Sequence, residues 1–178
     1  FAAGFAVPVC AQVDDPRLLT CVAFGDSTTA PRNVNGKPLD VYAGILEARL
    51  AGEGVIPRVL NRGAPGDTTA DARLRLARDV LAVRPDIVIV QFGINDAAID
   101  VWRKPPATTS RVPAAEFASN LTGIVRQLKG CGAEVVLMTP NPVRWTDQLR
   151  KLYAAPPYDP ADPDSWNILM GPYVAVVK

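Results

Sequence analysis

The chain has 178 residues, a formal net charge of +1 and a hydrophobic content of 48%, which suits a single globular domain with a buried core. No long basic run marks a surface for nucleic acid or for an acidic membrane. Histidine is absent, so no mechanism that needs an imidazole base or ligand can be completed by these residues alone.

Phe1 to Cys10 (FAAGFAVPVC) is an apolar stretch ending near Ala11. It is expected to be the remnant of a signal peptide, with cleavage near Ala11–Gln12; the alternative is an N-terminal arm. Residues 1–12 are accordingly set apart from one domain over 13–178, expected to be secreted or periplasmic in a bacterium. No apolar run approaches the ~18 residues needed to span a bilayer. Cys10, Cys21 and Cys131 lie far apart without a CxxC pair, against a zinc site or a dense disulfide framework. Cys21 and Cys131 read as buried small hydrophobes.

Leu18 to Phe24 (LLTCVAF) is a short apolar, partly β-branched run ending at Gly25 and predicts a buried strand. Asp40 to Leu50 predicts a helix with Val41, Ile45, Leu46 and Leu50 on one face. Arg58 to Asn61 predicts a second strand. Thr69 is placed to cap a helix running to about Val83, carrying Ala72, Leu76, Val80 and Val83 at helical spacing. Asp86 to Phe92 (DIVIVQF) predicts a third strand, Ala114 to Gly130 a helix with Phe117, Leu121, Ile124, Val125 and Leu128, and Glu134 to Met138 a fourth strand. This alternation predicts an open, mostly parallel α/β sheet with helices on both faces and its site outside the carboxyl ends of the strands. Trp102 to Pro113 and Ala155 to Trp166 are proline-rich without a period and read as long loops bordering that site.

Three loops at strand ends could carry chemistry. Gly25-Asp26-Ser27 places a serine at a sharp strand-to-helix turn, where its hydroxyl can be exposed; alone, such a triplet equally caps a helix. Asn61 to Thr68 (NRGAPGDT) offers a glycine amide at Gly63, and Gly93-Ile94-Asn95-Asp96 offers the side-chain amide of Asn95. With the Ser27 amide these make three donors for one oxyanion, although each loop by itself is also ordinary turn chemistry.

In this order the three blocks resemble the SGNH (GDSL) hydrolase family, over roughly Val22 to the chain end. The resemblance implies a three-layer α/β/α, flavodoxin-like, mostly parallel sheet. It implies Ser27 as nucleophile, Gly63 and Asn95 in the oxyanion hole, and supporting roles for Asp26, Gly66 and Asp96. The segments DVWRKPPATTSRVP, LMTPNPVRWT and PPYDP are similar to secreted bacterial carbohydrate acetylesterases, which places Asp100, Trp102, Asn141 and Trp145 beside Ser27 as substrate contacts; their alternative is loop packing. The family's DxxH block has no counterpart here. Gly171 to Lys178 reads as a helix cut off in its first turns, and the domain is expected to be incomplete at its C-terminus.

The implied activity is hydrolysis of a carboxylic ester through an acyl-serine, the substrate being an acetyl or other short acyl ester on a carbohydrate, with no metal or organic cofactor. A lipase or thioesterase of the same fold, and a non-catalytic carbohydrate-binding protein, remain as alternatives. Neither nucleic acid nor a membrane span is expected, and the residues leave the oligomeric state open.

Overall fold

Strands and helices alternate along the computed structural model, which describes residues 18–34 and 36–178. In chain order they are β1 (Leu18–Gly25), β2 (Arg32–Val34), β3 (Lys37–Leu39), α1 (Tyr42–Gly52), β4 (Ile56–Gly63), α2 (Thr69–Asp79), β5 (Ile87–Gln91), α3 (Ile94–Ala97), α4 (Ala114–Gly130), β6 (Glu134–Met138), α5 (Asp147–Tyr153) and α6 (Ser165–Val177). The N-terminal segment read as a signal-peptide remnant, with Cys10, lies outside the described residues.

Four strands form a parallel sheet in the order β4-β1-β5-β6. β1 is central, and its side chains from Cys21 to Phe24 are at most 1% exposed, as in a strand covered on both faces. The register pairs Gly25 with Gly63 on one side and with Gln91 on the other. The loops after β1, β4 and β5 therefore leave the sheet at one edge, which is where open α/β sheets build their sites. This is the α/β three-layer architecture expected from the alternation of elements.

α2, α4 and α6 meet over a core that includes Leu76, Val80, Phe117, Ile124, Leu128, Met170 and Tyr173. Phe117 and Tyr173 pack edge to face with centroids 5.2 Å apart. α4 and β6 have the bounds expected from the sequence. No helix among the described residues is long and apolar enough to cross a membrane.

Several local expectations are corrected. Thr68, not Thr69, caps α2, in a reciprocal capping box with Asp71; the Thr69 amide and hydroxyl are both bound to Asp96 instead. α2 stops at Asp79, and a 3-10 turn over Leu81–Val83 ends at Arg84 in the left-handed region. No helix follows Ser27 directly; a single turn leads into the β2–β3 hairpin. α1 packs on β4, an edge strand of the sheet, so Ile45 stays 47% exposed and Ala43 is the buried residue of that helix. Cys21 is buried as expected, but Cys131 is exposed just past α4, its thiol donating to the Leu128 carbonyl. Gly171 to Val177 belong to the second half of α6, which starts at Ser165.

Candidate active site

The turn that carries Ser27 is built by its neighbour. Asp26 is 1% exposed, and its Oδ1 accepts from both the amide and the hydroxyl of Thr28 at 2.8 Å. Its carbonyl accepts from the amides of Thr29 and Ala30 at 3.2 and 3.0 Å. Those bonds wind residues 26–30 into one tight turn and leave Ser27 half-buried at its start. Among the described residues neither the Ser27 amide nor its hydroxyl has a hydrogen-bond partner. Burial pushes the Asp26 carboxyl above its ordinary value despite the lowering effect of the Thr28 bonds.

The loop after β4 is tied to this turn from two directions. Asn61 Nδ2 donates to the Thr29 carbonyl at 2.7 Å, and the Ala64 amide donates to the Gly25 carbonyl at 3.0 Å. Gly63 is what allows the approach: a Cβ there would overlap the Ala30 backbone and lie 2.6 Å from the Thr29 carbonyl carbon. The Gly63 amide, expected as an oxyanion donor, is already engaged, donating to Asn61 Oδ1 at 2.9 Å. Three residues on, Gly66 sits at φ +86 with open space around it, and its amide has no partner among the described residues. Spacing alone does not show which of the two amides is left unbonded, because that depends on where the Asn61 side chain folds back.

The loop after β5 supplies the third element. Asn95 Nδ2 donates to the Asp67 carbonyl at 2.9 Å, which ties it to the residue after Gly66 with one N–H still available. Its Oδ1 faces Arg111 Nη1 at 3.5 Å. Asp96 is fully buried; its Oδ1 accepts from the Thr69 amide at 2.8 Å and from the Thr69 hydroxyl at 2.5 Å, while Oδ2 has no partner among the described residues. Burial raises the Asp96 carboxyl above its ordinary value, against the opposing Thr69 bonds.

The residues expected to contact substrate separate into two groups. Asn141 is exposed and joined to the serine turn through buried Gln91, whose Nε2 donates to Asn141 Oδ1 at 3.1 Å and whose Oε1 accepts from the Thr28 hydroxyl at 3.3 Å. Asp100 is instead 2% exposed and committed to an ion-pair cluster: Arg111 binds both its oxygens, Arg103 reaches Oδ2 at 2.7 Å, and the Tyr153 hydroxyl donates to Oδ1 at 3.3 Å. Trp102 is 47% exposed beneath the Arg103 guanidinium. Trp145 packs against Tyr158 and Trp166, with its indole N–H on the Asp162 carbonyl at 3.0 Å. It also lines a cleft of about 500 Å³ between the segments 142–145 and 160–167.

Known proteins resemble this chain in sequence and fold. Residues 23–177 match the GDSL-like lipase/acylhydrolase family. Lipoprotein YqeF of Bacillus subtilis, described as uncharacterized, is 36% identical over 125 residues, 68% of this chain and 48% of its own length. An acetylxylan esterase of Geobacillus stearothermophilus is 33% identical over 108 residues, 59% of this chain and 47% of its own. The chain thus spans about half the length of the curated relatives it matches. Among solved structures, the lipase/acylhydrolase from Enterococcus faecalis aligns with a TM-score of 0.60 at 28% identity, covering 89% of this chain and 70% of that one. Axe2, an acetylxylan esterase from Geobacillus stearothermophilus, aligns with a TM-score of 0.63 at 22% identity, covering 89% and 71%, a likeness of fold. The chain belongs to the GDSL-like lipase/acylhydrolase family, the SGNH hydrolases.

Proposed function

We propose that the complete protein is a serine esterase that removes an acetyl or other short acyl group from a carbohydrate. The observation that carries this reading is the half-buried Ser27, whose hydroxyl is unbonded among the described residues, at the point where three loops are hydrogen-bonded to one another. The Ser27 oxygen attacks the ester carbonyl. The oxyanion is held by the Ser27 amide, the Gly66 amide in place of the engaged Gly63, and the second Nδ2 hydrogen of Asn95. The alcohol leaves, and water releases the acid from the acyl-serine. A base must take the Ser27 proton, and these 178 residues, which contain no histidine, do not supply one of the usual kind.

Likeness to an acetylxylan esterase supports a sugar-borne acetyl group as substrate. Likeness to a lipoprotein supports a place outside the cytoplasm, where polysaccharides are met. The test is acetate release from an acetylated oligosaccharide by the complete protein and by its Ser27→Ala variant, with acyl chains of increasing length in parallel. Loss of acetate release in the variant is expected. Equal rates in both would overturn the esterase reading, and rates rising with chain length would turn it toward a lipase.

A further inference from the structure

Arg75, on α2 behind the serine turn, has a side chain only 11% exposed and makes an unusual set of contacts. Its Nε donates to Asp67 Oδ2 at 2.5 Å, and its Nη2 donates to the Gly25 carbonyl at 2.9 Å. Its Nη1 donates to the Arg62 carbonyl at 2.9 Å and to Asp79 Oδ2 at 3.3 Å. The guanidinium face lies on the Phe24 ring, 4.5 Å from its centroid. Gly25 is the last residue of β1 and stands two residues before Ser27. Arg62 is the residue before Gly63. Asp67 follows Gly66, and its carbonyl holds Asn95.

We infer that Arg75 is a positioning residue that sets the Ser27 turn and the Gly66-Asp67 segment in fixed relation, so that the donors meet one substrate oxygen; this rests on the esterase reading above. A planar guanidinium directs its N–H groups along fixed directions in one plane, whereas a lysine offers one compact charge on a flexible stem. Three of the Arg75 contacts reach the end of β1, the end of β4 and the loop after β4, the points from which the two loops leave the sheet. The fourth, to Asp79 one helical turn away, leads back to α2. If Arg75 served only to stabilise the helix, the Asp79 contact would matter as much as the others. Displacing reacting groups by ~1 Å costs about 10²-fold in rate, so the role is visible in turnover without unfolding.

The complete protein is compared with its Arg75→Lys, Asp67→Asn and Asp79→Asn variants by amide hydrogen exchange and by steady-state kinetics. Arg75→Lys and Asp67→Asn are expected to speed exchange about tenfold or more over residues 26–30 and 64–67 while leaving β5 unchanged. They are also expected to lower kcat about 10²-fold with KM within about twofold. Asp79→Asn should change neither loop nor kcat. Unchanged exchange in both loops overturns the inference, as does acceleration spread evenly over the sheet or an equal kcat loss in Asp79→Asn. If Arg75→Lys fails to fold, Asp67→Asn decides by the same readouts. If the wild-type protein shows no Ser27-dependent turnover, the esterase reading fails and the exchange data alone decide the positioning role.

Discussion

Asn95 and Asp67, 28 residues apart in the chain, are joined by a 2.9 Å hydrogen bond from the Asn95 side-chain amide to the Asp67 carbonyl. The bond fixes which end of the carboxamide faces the loop, because a carbonyl can only accept. One N–H of Asn95 is thereby anchored and the other has no partner among the described residues, as the proposed oxyanion role requires. Asn95→Ala in the complete protein is expected to lower kcat by about 10²–10³ with little change in KM, as for a donor used in the transition state. Asn95→Asp should be as damaging, since a carboxylate offers no donor at neutral pH. Steady-state kinetics on an acetyl ester checks both.

Gly63 and Gly66 should respond in opposite ways to one added methyl group. At Gly63 the Cβ overlaps the Ala30 backbone, so Gly63→Ala must push the serine turn away from β4 and is expected to lower Tm sharply. At Gly66 the space is open and only φ +86 is unfavourable, which costs about 1 kcal/mol. Thermal unfolding of the two variants side by side checks the difference.

Asp96 should destabilise the protein progressively as pH rises. Burial holds its folded-state carboxyl above the ordinary value, so the unfolded chain releases this proton first. The contribution is present below the unfolded value of about 4 and is lost as pH rises through the folded value. An asparagine in its place would keep the acceptor for Thr69 without titrating. The Tm of Asp96→Asn is therefore expected to gain on wild type between about pH 4 and pH 7; parallel curves would contradict this.

Asp100 has the opposite sign. Burial pushes its carboxyl up, but hydrogen bonds and charge from Arg111, with Arg103 behind it, prevail and hold it below the ordinary value. Its stabilisation is present above the unfolded value of about 4 and is lost as pH falls through the folded one. Asp100→Ala leaves Arg111 without its main partner and is expected to cost about 3 kcal/mol near neutral pH. The difference from wild type should shrink below about pH 4, as denaturant unfolding at several pH values would show.

Much of this fold was legible in the sequence because its central strands and α4 are strongly patterned. LLTCVAF and DIVIVQF are largely apolar, as strands covered on both faces are, and α4 carries Phe117, Leu121, Ile124 and Leu128 at helical spacing. α5 was not legible: DQLRKLY is too short and polar to show a period, and it is held by the Thr146 cap and by Tyr153 inside an aromatic cluster. Loop order brings Ser27 and Asn95 to one edge of the sheet, but which glycine amide is left unbonded depends on the Asn61 side chain, which spacing does not reveal. Arg75 and Arg111 carry no sequence signal of their roles, because charged residues on helices and loops ordinarily face water. The expectation of Asp100 as a substrate contact misses its burial because its partners, Arg111 and Tyr153, are distant in sequence.

The most direct test of the esterase reading is to stop the complete protein with acid during turnover of an acetyl ester and locate any covalent acetyl group by peptide mass spectrometry. An acetyl group is expected on the peptide containing Ser27 and is expected to be absent from Ser27→Ala. Continued hydrolysis with no modification at Ser27, or with the acetyl group on another side chain, would contradict it.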